Sequence, residues 1–287
     1  MKVFKLGYLG PPGTFSEEAA LLYQRFHRQS YKLLEQPTVT QVMEKVASGS
    51  LDQGIVPLEN SLEGSVNATL DQLVCLEEIN IYRELVCPIR QCLLAAPGTA
   101  LEQITRVYSH PHALGQCRRY LEAVLGHVSC FPVESTAAAA AMVAANPGSA
   151  AIAPRRAAAL FGLMILAEGI QDYDDNVTRF VVVSREEHPP TGCDKTSLVL
   201  ALSDGPGSLY HVLGFFAARK INLTRIESKP ARRSLGDWLF FIDCEGHKDD
   251  PQLASLWDEL RRNVPFFKLL GSYPKGRTCL TADKQTG

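Results

Sequence analysis

The 287-residue sequence lacks the features that define several large classes of protein. It has no run of about 18 apolar residues that could cross a membrane, and its first residues do not form a secretion signal. Its 29 Lys and Arg residues nearly balance its 31 Asp and Glu residues, and no block of like charge could follow a nucleic-acid backbone. These absences argue against membrane insertion and nucleic-acid binding, and they favour a cytoplasmic location.

The sequence also lacks the common motifs of metal, nucleotide and nucleophile sites. Its eight cysteines include no C-x-x-C pair and no neighbouring histidine cluster, which argues against a metal site. No P-loop, H-E-x-x-H or G-x-S-x-G sequence occurs. Gly7, Gly10 and Gly13 follow a predicted strand, but they are not spaced as G-x-G-x-x-G, and Pro11 and Pro12 remove backbone N–H donors. Dinucleotide binding is therefore a poor interpretation.

Short apolar runs alternate with helix-like segments between residues 3 and 184. This alternation is typical of an α/β domain with mostly parallel strands. Ser16 predicts the N-terminal cap of the first helix, and Thr38 begins a capping-box pattern for the second. Apolar segments at 79–95 and 163–184 fit two crossovers between lobes. We therefore expect residues 1–187 to form a bilobal domain with a cleft.

A second pattern begins after a polar segment rich in helix-breaking residues, 186–192. From residue 194 to residue 274 the predicted order is βαββαβ, a ferredoxin-like unit. The polar residues 275–287 are expected to form a flexible tail.

Four polar turns of the first domain lie at the ends of predicted strands, at 10–16, 59–65, 109–112 and 176–180. In open α/β sheets, ligands bind at the carboxyl ends of strands, where helix N-termini offer free N–H groups to anions. Any one turn could be only a cap or a loop. Four of them, with their small hydroxyls, amides and one arginine, favour a site for a carboxylate ligand.

These turns and two segments of the second domain form a specific combination of motifs. In the first domain they are G-P-P-G-T-F-S at 10–16, V-P-L-E-N-S at 56–61 running on to G-S-V at 64–66, S-H-P at 109–111, Q-C at 116–117 and N-V-T-R-F at 176–180. In the second they are G-S-L-Y at 207–210 and E-S-K-P at 227–230. The first set resembles the prephenate dehydratase family, and the second resembles the ACT regulatory domain of that family.

The resemblance implies a catalytic domain with the type II periplasmic-binding-protein-like fold and a ferredoxin-like ACT domain. It implies conversion of prephenate to phenylpyruvate, with loss of carbon dioxide and water, in L-phenylalanine biosynthesis. No metal ion or cofactor is needed, because aromatisation drives the reaction and the site has only to orient a dianion and stabilise the departing hydroxide. It also implies feedback regulation by L-phenylalanine at the ACT domain. We expect a homodimer or homotetramer that assembles through the ACT domains.

The resemblance also assigns roles to particular residues. Thr178 is expected to donate to the departing ring hydroxyl, Asn60 and Gln116 to orient the substrate, and Glu59 to relay a proton or brace the Asn60 turn. The predicted substrate-binding residues are Thr14, Ser16, Ser61, Ser109, Arg179 and Phe180. The predicted L-phenylalanine-binding residues are Gly207, Ser208, Leu209, Asn222, Leu223, Glu227 and Ser228.

Some of these residues have a structural interpretation as well. If strand alternation holds, Arg179 points away from Thr178 and Phe180, and it would then form a structural ion pair. Phe180 could be core or pocket wall. His110 is a candidate base, but it precedes Pro111 at a predicted helix start and could serve only to stabilise the turn.

Three residues depart from the family pattern, and alternatives remain. His112 stands where Gln is frequent, Pro154 where a small hydroxyl residue is frequent, and Lys229 where the regulatory signature has Arg. Lysine keeps the charge but loses the planar fork of arginine, so the effector response could differ. Changes at 112 and 154 bear on the choice of substrate, which keeps arogenate dehydratase as an alternative. A non-catalytic, amino-acid-responsive binding protein is another alternative.

Because the first strand begins at Val3, we expect no preceding chorismate mutase segment and a single activity.

Overall fold

The computed structural model describes residues 3–26, 30–231 and 238–276, which form three β-sheets with helices packed against them. The strands of this part of the chain are β1 (Phe4–Leu9), β2 (Tyr31–Gln36), β3 (Gln53–Asn60), β4 (Gly64–Ser65), β5 (Asn80–Pro88), β6 (Cys92–Ala95), β7 (Arg106–Ser109), β8 (Ser129–Pro132), β9 (Ser149–Ala153), β10 (Met164–Glu168), β11 (Val177–Ser184), β12 (Asp194–Ala201), β13 (Leu223–Pro230), β14 (Trp238–Glu245) and β15 (Phe266–Pro274). The helices are α1 (Phe15–Phe26), α2 (Val39–Ala47), α3 (Asn67–Cys75), α4 (Pro111–Gln116), α5 (Arg118–Leu125), α6 (Thr136–Ala144), α7 (Arg155–Phe161), α8 (Ser208–Ala218) and α9 (Pro251–Asn263), with a short 3-10 turn at Leu101–Gln103.

The first two sheets form two lobes joined by two crossovers. The strand order of the first lobe is β2-β1-β3-β11-β5, with β4 paired to β3, and that of the second lobe is β10-β6-β9-β7-β8. The chain passes to the second lobe between β5 and β6, and it returns between β10 and β11. The predicted two-lobed α/β fold is therefore confirmed, including both crossovers. The predicted domain boundaries at residues 187 and 194 stay predictions.

The strands are less uniformly parallel than the sequence predicts. β1 pairs in parallel with β2 and β3, and β7 does so with β8 and β9. The strands next to the crossovers run the other way: β11 is antiparallel to β3 and β5, and β6 is antiparallel to β9 and β10. The expectation of mostly parallel strands is wrong here, because a strand returning from the other lobe enters its sheet at the cleft end.

The third sheet has the order β13-β14-β12-β15 and the predicted βαββαβ connectivity. Helices α8 and α9 cover one face, around Phe216 and Trp257. The other face packs on the first lobe, where Val199 and Tyr273 share an apolar core with residues of α2, α3 and β11. Gly271 permits this approach: its φ is +142°, and a Cβ there would lie 2.3 Å from the carbonyl oxygen of Ile81.

Of the two predicted helix N-terminal caps, one is confirmed and one is wrong. Thr38 caps α2 by accepting a hydrogen bond from the Gln41 N–H at 3.1 Å. Ser16 does not cap α1, because the helix begins one residue earlier and Ser16 is buried in its first turn. The helix predicted to start at Pro111 is interrupted at Cys117, between α4 and α5.

The chain after β15 keeps contact with the rest of the protein for two residues. The Lys275 N–H donates to the carbonyl of Cys193, and the Gly276 N–H donates to Glu84 at 2.7 Å. The rest of the predicted tail, 277–287, lies outside the described residues. None of the helices in the described ranges is long and apolar enough to cross a membrane.

Candidate functional site

A cleft of ≈ 550 Å³ lies between the two lobes. It collects the starts of α1, α3, α4 and α6 and the cleft ends of β3 and β11. Thr14, Asn60 and Thr178 enter it from the first lobe, and Gln91 and Gln116 enter it from the second. The rest of its wall is Leu9, Gly10, Phe15, Ser16, Pro57, Glu63, Gly64, Ser65, Val66, Ile89, His110, His112, Ala113, Glu134, Ser135, Thr136 and Phe180.

The side chain of Asn60 has a fixed orientation at the centre of the first-lobe wall. Its Oδ1 accepts the backbone N–H groups of Leu62 at 2.9 Å and Glu63 at 3.0 Å. Backbone N–H groups only donate, so the Asn60 Nδ2 must point the other way. That nitrogen lies 3.0 Å from Thr178 Oγ1 and 2.8 Å from Asn176 Oδ1. The direction of the whole network follows from these two backbone donors.

Thr178 is therefore left with a hydroxyl proton that it can donate. Its Oγ1 accepts from Asn60, its side chain is buried, and it lines the cleft. In the described part of the chain, no hydrogen bond uses the Thr178 proton, so it is available to a ligand in the cleft. The role expected of Thr178, donation to the departing ring hydroxyl, stays a prediction.

A chain of amides crosses the cleft to Gln116. Asn176 donates to Gln116 Oε1 at 3.2 Å, and Gln116 Nε2 donates to Glu63 Oε1 at 3.3 Å. Gln91 also reaches Gln116 Oε1, at 3.4 Å. The network joins the two lobes through neutral donors, with the Glu63 carboxylate at its end. Asn176 was not among the predicted site residues, although it belongs to the N-V-T-R-F segment.

Besides Thr14, Asn60, Gln116 and Thr178, the structure brings three more candidate residues to the cleft, and it adds others. Ser16, Phe180 and His110 all contribute to its wall. His110 also accepts the His112 N–H at the start of α4, which is the turn-stabilising role considered above. Glu134, Ser135 and Thr136 were missed. Ser135 caps α6 by accepting the Ala138 N–H, a capping signal that the sequence contains.

Burial lowers the pKa of His110, and the neighbouring His112 lowers it further while Glu63 opposes them. His110 is consequently neutral at neutral pH and brings no positive charge to the cleft. The wall contains no Lys or Arg among the described residues. A bound anion would be held by N–H and O–H donors and by the helix N-termini.

Ser61 and Ser109 do not reach the cleft, contrary to prediction. Ser61 Oγ accepts the Val177 N–H at 3.0 Å, so it braces the start of β11. Ser109 is fully buried and donates to the carbonyl of Ile152 at 2.6 Å, which ties β7 to β9. Both hydroxyls are used in joining strands.

Glu59 and Arg179 also lie away from the cleft, on the opposite face of the β3–β11 pair. Glu59 Oε1 lies 3.4 Å from Arg179 Nη1, and its other oxygen lies 2.7 Å from Arg225. Strand alternation turns the Arg179 side chain away from the cleft, so the geometry does not support the substrate contact predicted for it. Of the two roles considered for Glu59, the geometry favours bracing the Asn60 turn.

Arg179 joins the first lobe to the third sheet. Its Nη1 lies 2.6 Å from Asp243 Oδ2, and its Nη2 donates to the Tyr273 hydroxyl at 2.8 Å. Its Nε lies 2.8 Å from Glu84 in an ion pair whose alignment does not make a hydrogen bond. Burial raises the pKa of Asp243, but the charges of Arg179 and Arg225 outweigh it, and the net pKa is lowered.

The predicted effector residues lie at the start of α8 and around β13. Gly207 has a φ of +84° and precedes the helix, followed by Ser208 and Leu209. Asn222 directly precedes β13, which begins at Leu223 and carries Glu227 and Ser228. The Glu227 carboxylate is engaged by Ser65 and Arg225. Lys229 pairs with Asp71 of α3, so this departure from the family pattern also faces the first lobe.

A second cavity, of ≈ 590 Å³, lies behind the β5–β6 crossover. Two of its arginines, Arg155 and Arg156, are paired with Glu168 and Glu17. None of the residues predicted to be catalytic lines it, so the cleft is the better candidate site. Across residues 3–26, 30–231 and 238–276, no cluster of His, Cys, Asp and Glu could hold a metal ion.

The family model for prephenate dehydratase matches residues 6–188, and the model for the ACT domain matches residues 196–262. The chain belongs to the prephenate dehydratase family. The bifunctional chorismate mutase/prephenate dehydratase of Aquifex aeolicus (strain VF5) is 42% identical over 274 residues, which cover 96% of this chain and 74% of that protein.

Two solved structures are similar to this prephenate dehydratase family member over nearly its whole length. Prephenate dehydratase from Arthrobacter aurescens, in complex with L-Phe, has a TM-score of 0.86 and 39% identity, covering 94% of this chain and 90% of that chain. GqqA, described as a novel type of quorum quenching acylase, has a TM-score of 0.83 and 32% identity, covering 94% and 97%. The predicted fold class is confirmed: a type II periplasmic-binding-protein-like domain followed by an ACT domain.

Proposed function

We propose that the protein converts prephenate to phenylpyruvate. The observation that carries the proposal is the Thr178 hydroxyl, which accepts from Asn60 at 3.0 Å and keeps its own proton for a ligand in the cleft. A donor fixed in this way can stabilise hydroxide as it leaves the substrate ring. Family membership and the similarity to the Arthrobacter aurescens enzyme support the same reaction.

The proposed reaction needs orientation and one well-placed donor. The bond between the ring and its carboxylate breaks to release carbon dioxide, and the electron pair enters the ring. The hydroxyl at the opposite ring carbon then leaves as hydroxide, stabilised by the Thr178 hydroxyl, and takes a proton from the solvent to become water. A threonine hydroxyl titrates far too high to act as a free acid near neutral pH, so we assign Thr178 the role of a positioned hydrogen-bond donor.

The substrate carboxylates are assigned to the helix starts that meet in the cleft. α1 and α6 point their N-termini into it, with Thr14 and Ser135 beside them. Free N–H groups and the positive helix end favour an anion at such a position. Asn60 and Gln116 orient the substrate between the lobes in this proposal.

Arogenate is a second candidate substrate, because the cleft wall contains carboxylates that suit its ammonium group. Arogenate carries an ammonium group where prephenate carries a keto group. Glu63 and Glu134 belong to the cleft wall, which has no Lys or Arg among its described residues. Either carboxylate could accept the ammonium group. The same residues would then carry out the chemistry.

The test is direct turnover by the purified wild-type chain. Prephenate and arogenate are supplied separately, and the products are measured: phenylpyruvate by its absorbance in alkali, and phenylalanine by chromatography. We expect a higher kcat/KM for prephenate. A higher value for arogenate would transfer the assignment to the second candidate. No turnover of either acid would favour the non-catalytic binding protein considered from the sequence.

We also propose that L-phenylalanine binds at the ACT domain as a feedback effector, and that the ACT domains assemble the protein. β13 is an edge strand, so its outer side can pair with a second copy. Ile226 on β13 is 48% exposed, and Tyr210 on α8 is 77% exposed. Light scattering tests assembly against the 31.5 kDa mass of one chain, and calorimetry tests L-phenylalanine binding.

The cytoplasmic location stays a prediction.

A further inference from the structure

The turn that carries Asn60 is held from behind by the ACT domain. The turn runs from β3 to β4, where Glu59 pairs with Ser65. Arg225 of β13 contacts both ends: its Nε lies 2.7 Å from Glu59 Oε2, and its Nη2 donates to Ser65 Oγ at 2.9 Å. One guanidinium from the ACT sheet therefore joins the two strands on either side of the turn.

Arg225 is suited to this contact by its geometry and its burial. Its side chain is only 12% exposed, so water screens the ion pair with Glu59 less than it would on an open surface. Glu227 pairs with the same guanidinium and accepts from Ser65, which fixes the direction of the Arg225 fork. Lysine could reach Glu59 but could not also donate to Ser65 from a second, rigidly placed nitrogen.

We propose that Arg225 is a positioning residue for the dehydratase reaction. It holds Glu59 and Ser65, these fix the turn that carries Asn60, and Asn60 orients the Thr178 hydroxyl. The inference rests on the function proposed above. In this proposal the ACT domain supports the cleft, and a ligand that displaced Arg225 would act on Asn60 through Glu59 and Ser65.

The first test is the effect of Arg225→Gln on kcat and KM. We expect kcat to fall about 10-fold to 100-fold, because small displacements of a reacting group are costly. KM should change by less than about threefold, because the helix starts assigned to the carboxylates are left in place. Arg225→Lys should recover part of kcat, since it restores the pair with Glu59 alone.

Arg219→Gln is the matched control. Arg219 is also in the ACT domain and forms an ion pair at 2.7 Å, but its partner is Glu259 of α9. This variant should keep the wild-type kcat. A kcat for Arg225→Gln within about twofold of wild type, in a folded protein, would overturn the proposal. If Arg225→Gln does not fold, Ser65→Ala replaces it in the same comparison, with a smaller expected fall in kcat.

A second measurement does not depend on turnover. The Leu62 and Glu63 N–H groups donate to Asn60 Oδ1, so their hydrogen exchange reports the state of the turn. Arg225→Gln should speed exchange in a peptide covering 59–66, and Arg219→Gln should not. If wild type does not turn over prephenate while exchange responds, the proposed function fails, and only the support of the Asn60 turn by Arg225 stands. If wild type is active but exchange does not respond, the positioning role fails.

Discussion

The two faces of the β3–β11 pair differ in chemistry although they share the same backbone. Thr178 faces Asn60 and Arg179 faces Glu59 in the register of the two strands. The front pair meets through a neutral hydrogen bond at the cleft, whereas the rear pair belongs to a buried ion cluster beneath the ACT sheet. Adjacent residues of one motif therefore have different surroundings: Thr178 lines the cleft, whereas Arg179 joins β11 to the ACT domain.

The largest expected effect on stability follows from removing the Arg179 charge from the rear face of the β3–β11 pair. Arg179→Met leaves Asp243 and Glu84 as buried carboxylates without this partner. We expect the free energy of unfolding to fall by about 3–5 kcal/mol, the usual cost of removing one member of a buried ion pair. Denaturant unfolding measures the change.

The control for this variant is Arg118→Gln. Arg118 forms an exposed pair with Glu122, so its loss should leave the unfolding midpoint close to that of wild type. If Arg179→Met instead kept wild-type stability and raised KM, Arg179 would be a substrate ligand and our division of the two faces would be wrong.

The next largest expected effect is a loss of folding stability at acid pH. Burial raises the pKa of Asp243, but Arg179, Arg225 and Ser197 lower it more, so the folded pKa lies below the ordinary value. This stabilisation is present above the unfolded pKa, near about pH 4, and is lost as the pH falls through the folded pKa. Urea unfolding between neutral pH and pH 3 should show a loss of stability that is smaller in Asp243→Asn. Equal losses in both proteins would contradict this account.

The smallest expected effect concerns Ser61, which the structure removes from the cleft. Ser61→Ala deprives the Val177 N–H of its acceptor, and we expect a cost of about 1 kcal/mol in the free energy of unfolding. KM for prephenate should stay close to that of wild type. A large rise in KM with unchanged stability would show that Ser61 binds substrate after all.

Much of this arrangement could be predicted from sequence because it depends on local patterns. The helix cap at Thr38, the βαββαβ order and both crossovers follow from hydrophobic periodicity and turn residues. Strand alternation already indicated that Arg179 points away from Thr178. The grouping of Thr14, Asn60, Gln116 and Thr178 in one cleft came from the family resemblance, and the structure brings all four together.

The rest depends on contacts between distant parts of the chain. Arg179 meets Asp243 across 64 positions and Tyr273 across 94, and no local pattern announces such partners. The antiparallel direction of β11 also depends on distant parts of the chain, because it is set by the crossover that returns from the second lobe between β10 and β11. Ser61 and Ser109 could not be separated from cleft residues, since a hydroxyl at a strand end is equally suited to binding a ligand or joining strands.

The division between the two faces is tested most directly by the kcat of Thr178→Ala and Thr178→Ser with prephenate. The alanine variant removes the donor, and we expect kcat to fall about 100-fold to 1000-fold, as for other lost transition-state donors. The serine variant keeps a hydroxyl within reach of Asn60 and should retain most of the activity, with both proteins unfolding close to wild type. Wild-type kcat in a folded Thr178→Ala variant would contradict the account.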